Sequence, residues 1–327
     1  GCQFEADTTG DVFFGGDVLD DNSGALRYVR ILWAGQRINP DEELNSLTLL
    51  GVGNGTVLEH VQVDGGLDDG FEMFGGTVDG KFLVCSNMGD DCFDFDDGYQ
   101  GRIQFALGWQ GANPDSGTDS NGVESDNDSG NNNLEPRTAP TVANLTLVGG
   151  AVGNEGMRIR RGSGGIYSNV VVTGYQDRCV NLDDSGTFAL ASGTAQGELL
   201  SLDHSFVGQC GAGAFQDDAA DPYAVSAWYA AGAGNSTGDP QLQGFLPAAG
   251  SPLLQGGETQ ADGFFRPTAY RGAFAGPRDS RSATRSISFP RCAERCRPST
   301  GTCPSTACAR WRSSSAAPSS SVAWASA

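Results

Sequence analysis

The chain has 327 residues, a formal charge of −20, 48 glycines and a single lysine, Lys81. A surface this acidic repels the phosphates of nucleic acids and anionic lipids, which excludes both as partners and makes divalent cations the expected counter-ions. No stretch reaches the ~18 consecutive apolar residues of a membrane span.

From the N-terminus, Gly1-Cys2-Gln3-Phe4-Glu5 reads as entry in mid-coil, so an export signal and earlier coils are expected to be missing. Residues 57–63, 81–84, 142–148 and 167–173 are short, β-branched and alternating, and predict strands. The strongest signal is a repeat: residues 67–73 align on residues 89–95 at an offset of 22, about the length of one β-helix coil. Units of this period bury their apolar faces only against their neighbours. The register continues through residues 121–124, 155–160 and 178–183 once the polar surpluses at 111–120 and 126–140 are set aside as loops. Each coil then shows a small residue, an apolar one, a polar one and usually a second apolar one. Gly or Cys suits the tight corner, and the alternation is that of a strand. The expectation is an all-β, right-handed parallel β-helix, a pectin-lyase-like solenoid over residues 1–277.

Matched residues become neighbours ~4.8 Å apart, so the register also predicts contacts. One column runs Glu72, Asp94, Glu124, Arg158, Asn181, and its neighbour runs Asp69, Asp91, Asn121, Glu155, Arg178. Stacked carboxylates cannot all stay ionised without a cation or a proton. Hard oxygen ligands suit Ca2+, with Glu72, Asp94, Glu124 and Asp96 as the expected metal ligands; the alternative is a set of solvated turn acids. His60 and His204 read as structural. Trp109, Tyr99 and Trp33 are candidates for a sugar-stacking platform or for core.

The nine cysteines leave two readings. Cys92 and Cys179 fit the small buried corner as free thiols, which is the favoured reading; pairing of Cys85 with Cys92 and of Cys179 with Cys210 is the alternative in an oxidising compartment. From residue 278 the strand pattern stops and Arg, Ser, Ala, Pro and Cys dominate, so 278–327 is expected to be a disordered or frame-shifted tail.

The segments Asp68-Asp69-Gly70-Phe71-Glu72, Gly89-Asp90-Asp91-Cys92, Asn121-Gly122-Val123 and Arg158-Ile159-Arg160 resemble the motif series of polygalacturonase-type glycoside hydrolases. That resemblance implies Asp90 as general acid, Asp69 and Asp91 as activators of water, and Arg158, Arg160 and Asn121 as substrate-binding residues. The chain departs from the pattern at Asn121, where histidine is expected, and at Arg160, where lysine is. Residues 22–30, 68–76, 89–95, 158–162 and 269–274 are also similar to a family of exported bacterial β-helix proteins of unassigned function, over most of residues 11–277. Together these readings predict an extracellular or cell-surface protein that binds divalent cations and an acidic polysaccharide or surface glycan. A uronic-acid polymer hydrolase is the alternative, and a structural adhesion module the third.

Overall fold

A computed structural model describes residues 2–3, 12–39, 42–111, 119–191, 196–258 and 262–279. Gly1–Pro277 forms one compact unit, and Arg278–Ala327 is a second, nearly all of which lies outside the described residues. The first unit is built from two large parallel sheets. One contains seven short strands in the order Leu47–Leu50, Phe71–Phe74, Phe93–Asp96, Val123–Ser125, Met157–Ile159, Arg178–Leu182 and Gly213–Phe215. The other starts with the long strands Ala25–Leu32, Val57–Asp64, Asp79–Ser86, Arg102–Trp109 and Thr141–Val148. The chain alternates between the two sheets, one short and one long strand per turn, which makes it a parallel β-helix.

Period-2 alternation fixes which way each short strand faces. Phe71, Met73, Phe93, Phe95, Val123, Met157, Ile159, Val180 and Leu182 point inward and are 0–1% exposed. Like stacks on like: the Phe71 and Phe93 rings lie 5.4 Å apart and nearly parallel. The intervening residues Glu72, Asp94, Glu124, Arg158 and Asn181 are in direct register across five strands.

Each long strand is bent at its middle by a residue in the left-handed region: Tyr28, His60, Phe82, Phe105, Asn144, Asn169 and His204, with φ between 48° and 62°. Side chains larger than glycine rarely adopt this conformation, so each is held by its neighbours. The rings of Tyr28, His60, Phe82 and Phe105 stack in sequence at 4.6, 4.6 and 5.2 Å. Further along the column Asn144 donates to the carbonyls of Tyr270 and Gly272, and Asn169 to that of Glu258.

Those last partners belong to a strap, described over residues 252–258 and 262–274, that runs back along the bent corner. Its anchor is Arg271, 7% exposed, which donates to the carbonyls of His204, Pro252 and Gly234. Lower down, Arg102 bridges Asp79 and Asp262, and Arg266 lies over the Phe82 ring. The free-thiol reading of the corners is corrected: Cys85 is bonded to Cys92 and Cys179 to Cys210. The corner position is small and buried, as the repeat requires, and it places each sulfur beside a second cysteine.

Candidate functional site

The short-strand sheet carries the acidic column, and the loops at its edges supply the rest of the site. Two groups of carboxylates converge, Asp68 with Asp69 and Asp90, and Asp69 with Glu72 and Asp94; within each group one ligand oxygen per residue lies within 4.8 Å of the others. Asp69 belongs to both. Glu72 is 3% exposed and accepts a hydrogen bond from Nδ2 of Asn45. Asp94 sits between them with its Oδ1 shielded from solvent and without a hydrogen-bond partner. The stacking in register that brings strands together also brings their charges together.

Burial is the first cause of the pKa shifts and neighbouring carboxylates the second. Asp68 is raised to about 6 by burial and Glu43, and Asp90 to about 7 by burial, Asp68 and Asp119. Asp69 and Asp94 are raised well above the carboxylate range, Asp69 by burial with Asp68 and Asp90, Asp94 by burial with Asp69 and Glu124. The site keeps protons, or it takes a cation in their place.

Asp91 and Asn121, with Asp69, stand in a second column whose side chains turn toward the backbone of the next coil. Asn45 Oδ1 accepts the N–H of Asp69 at 3.2 Å, Asp69 Oδ1 that of Asp91 at 2.8 Å, Asp91 Oδ1 that of Asn121, and Asn121 Oδ1 that of Glu155 at 3.1 Å. The ladder bears on three expected roles. Asn121 is fully buried and is corrected from a substrate contact to a residue that ties coils together. Asp91 is 4% exposed and aimed along the ladder; Asp69 is 6% exposed and shared between the ladder and the carboxylate groups. Of the three expected catalytic aspartates, Asp90 is at intermediate burial and its side chain takes no part in the ladder.

Of the four expected metal ligands, Glu72 and Asp94 fall in a carboxylate group, whereas Glu124 and Asp96 fall in neither. Arg160 takes Glu124, and Arg158 stands 3.9 Å from it. Burial and Asp126 raise Glu124 to about 7 against the pull of these arginines. Asp96 accepts the N–H of Asp97 and is raised to about 8 by burial and Asp97. Asp69, in the Asp-Asp-Gly corner, is the carboxylate common to both groups, and its signal in the sequence is the adjacent column one corner away. The aromatic platform is also corrected: Tyr99 is in the core with its hydroxyl donating to Val78. Trp109 packs on Phe245 three coils from the exposed Trp33. His204 is held between Asp203 and Glu258, and His60 lies within the ring stack.

Fold and site together define a parallel β-helix protein with a carboxylate-lined strip along its short-strand sheet. The chain belongs to the family of pectate-lyase-like beta helix domains, which matches residues 3–243. No curated protein and no solved structure matches it. Among the described residues no helix is long and apolar enough to cross a membrane.

Proposed function

We propose that the domain is a non-catalytic binding module that holds a divalent cation among Asp69, Glu72 and Asp94 and binds an acidic polysaccharide along the same strip. The observation that carries this reading is the shielded, unpartnered Oδ1 of Asp94 beside two other carboxylates. An all-oxygen donor set fits Ca2+, whose irregular six- to eight-fold coordination accepts carboxylates from separate coils. When bound, the cation supplies positive charge to which uronate carboxylates are drawn. The two disulfides support export to an oxidising compartment, and with it a place outside the cell or on its surface.

Calorimetric titration with CaCl2, followed by titration with a defined-length oligogalacturonate, tests the reading. Both should give saturable heat in the unaltered protein, and Asp94→Asn should lose the first. No heat from calcium in the unaltered protein would remove the cation.

A second reading, a polygalacturonase-type hydrolase, draws support from Asp90, whose pKa of about 7 suits a general acid. Against it stand the ladder bond of Asp91 and the closeness of the Asp68, Asp69 and Asp90 oxygens, within 4.8 Å. An inverting hydrolase keeps its carboxyls about 6.5–9.5 Å apart to seat a water. Release of reducing ends from polygalacturonate, abolished in Asp90→Asn, would promote this reading over the first.

A further inference from the structure

The two arginines in the strip are not equivalent. Arg160 is engaged through two nitrogens with two carboxylates: Nε donates to both oxygens of Asp126, at 2.9 and 3.1 Å, and a terminal nitrogen donates to Glu124. Among the described residues the Arg158 side chain makes a single hydrogen bond, from Nη1 to Oδ1 of Asp119 at 2.6 Å. Its Nε has no hydrogen-bond partner, and Glu124 and Glu155 stand off at 3.9 and 3.8 Å, close enough to balance charge but too far to accept. A guanidinium carries five N–H donors in a planar fork, so most of the hydrogen-bonding capacity of Arg158 is unused.

Its one acceptor is of an unusual kind for the site. The Asp119 side chain is 58% exposed, whereas that of Glu124 is 11% and that of Glu155 7%. It is aimed rather than free: the Asp119 carbonyl accepts from Nδ2 of Asn121 at 2.8 Å, and its Oδ1 accepts from Nδ2 of Asn154 at 3.3 Å. The buried ladder therefore sets an exposed carboxylate on an arginine that has donors to spare.

We propose that Asp119 is an internal competitor: its carboxylate occupies on Arg158 the place that a uronate carboxylate of the bound polysaccharide takes. The inference rests on the polysaccharide reading above, with Arg158 as a substrate-binding residue, and adds to it the regulator of that residue, Asp119. Ligand exchanges one carboxylate for another at the guanidinium, so no charge is left unpaired in the strip, and Asp119 swings into water at small cost because it is already largely solvated.

The test is calorimetric titration of a defined-length oligogalacturonate into the unaltered protein, Asp119→Asn, Arg158→Gln and the double variant, at fixed calcium and ionic strength. An exposed ion pair is worth a modest factor, so Asp119→Asn should tighten binding about two- to fivefold. Arg158→Gln should weaken binding, and the gain from Asp119→Asn should vanish in its background. Asp183→Asn, an exposed acid beyond the next short strand, controls for net charge, and an equal gain from it would overturn the proposal. Where Arg158→Gln fails to fold by circular dichroism, Arg158→Lys replaces it; the gain should then shrink, because an ammonium lacks the fork. Binding by the unaltered protein that Asp119→Asn leaves unchanged would sink the competitor and spare the polysaccharide reading. No binding by either protein would sink both.

Discussion

Removing the cation and raising the pH should act together on stability, and a single substitution separates them. Two carboxylates with oxygens ~4.8 Å apart repel by roughly 3–4 kcal/mol at an effective dielectric of about 20. The Asp69, Glu72 and Asp94 group lies within that distance, so without a cation it relieves the repulsion by keeping protons. Asp68 at about 6 and Asp90 at about 7 are raised in the folded state from an ordinary 3.8. The folded chain then binds more protons than the unfolded one, and stability falls as pH rises. The contribution is fully present below about pH 4 and is lost as pH climbs through 6 and 7. In chelator the melting temperature should therefore drop between pH 5 and pH 8. Calcium at a hundred times its Kd adds about 2.7 kcal/mol, which for the unit Gly1–Pro277 is roughly 4–5 °C, with the larger effect at pH 8. Asp94→Asn, a mimic of the protonated group, should melt higher than the unaltered protein in chelator at pH 8 and respond less to calcium. Differential scanning calorimetry at the two pH values, with and without EDTA, reads all of this. Equal melting temperatures in calcium and chelator at pH 8, together with a lower one for Asp94→Asn, would refute the reasoning.

Arg271→Ala should cost about 3–5 kcal/mol, because three backbone carbonyls from separate turns lose a charged donor; an unchanged urea midpoint would show that the strap is not anchored there. Loss of the Cys179–Cys210 bond, which spans 31 residues, should cost about 3–4 kcal/mol by the chain-entropy estimate. Cys179→Ser with Cys210→Ser measures it, and alkylation of the denatured unaltered protein followed by peptide mapping should find Cys85, Cys92, Cys179 and Cys210 blocked. Gly89→Ala should prevent folding, since its Cβ would lie 1.6 Å from the carbonyl oxygen of Leu67, and soluble expression with native circular dichroism would contradict the packing.

The register of the acidic column was legible because the 22-residue offset puts like on like: Glu72, Asp94, Glu124, Arg158 and Asn181 pair as the repeat predicts. The direction of the neighbouring column was not. Asp69, Asp91 and Asn121 read as site residues, but a carboxylate at a corner also satisfies the next backbone N–H, and period-2 patterning says nothing about side chains outside the strand. The two cysteine pairs were legible as an alternative but not as the favoured reading, since the repeat defines a small position without saying what faces it. The bent column left a fainter trace. Asn144 and Asn169 favour the left-handed conformation and lie one coil apart, but Phe82 and Phe105 hold it only through stacking that composition does not reveal. The strap has no periodicity at all, and its partners outside it lie 35 to 183 residues away.

The polar ladder has an evolutionary consequence. Asn45, Asp69, Asp91 and Asn121 each fasten the start of the following short strand, so the chain between one fastening and the next is free to vary in length. The spacing from one short strand to its neighbour grows from 22 residues at Phe71 and Phe93 to 30 at Val123 and 34 at Met157 without a slip in register. The added residues belong in sequence to the connections before and after the short strand Val123–Ser125, whose two ends mark the rims of the acidic strip. Insertions at these rims reshape what the strip meets while leaving the scaffold beneath it untouched, so such a solenoid can acquire new ligands through changes that selection for folding does not oppose.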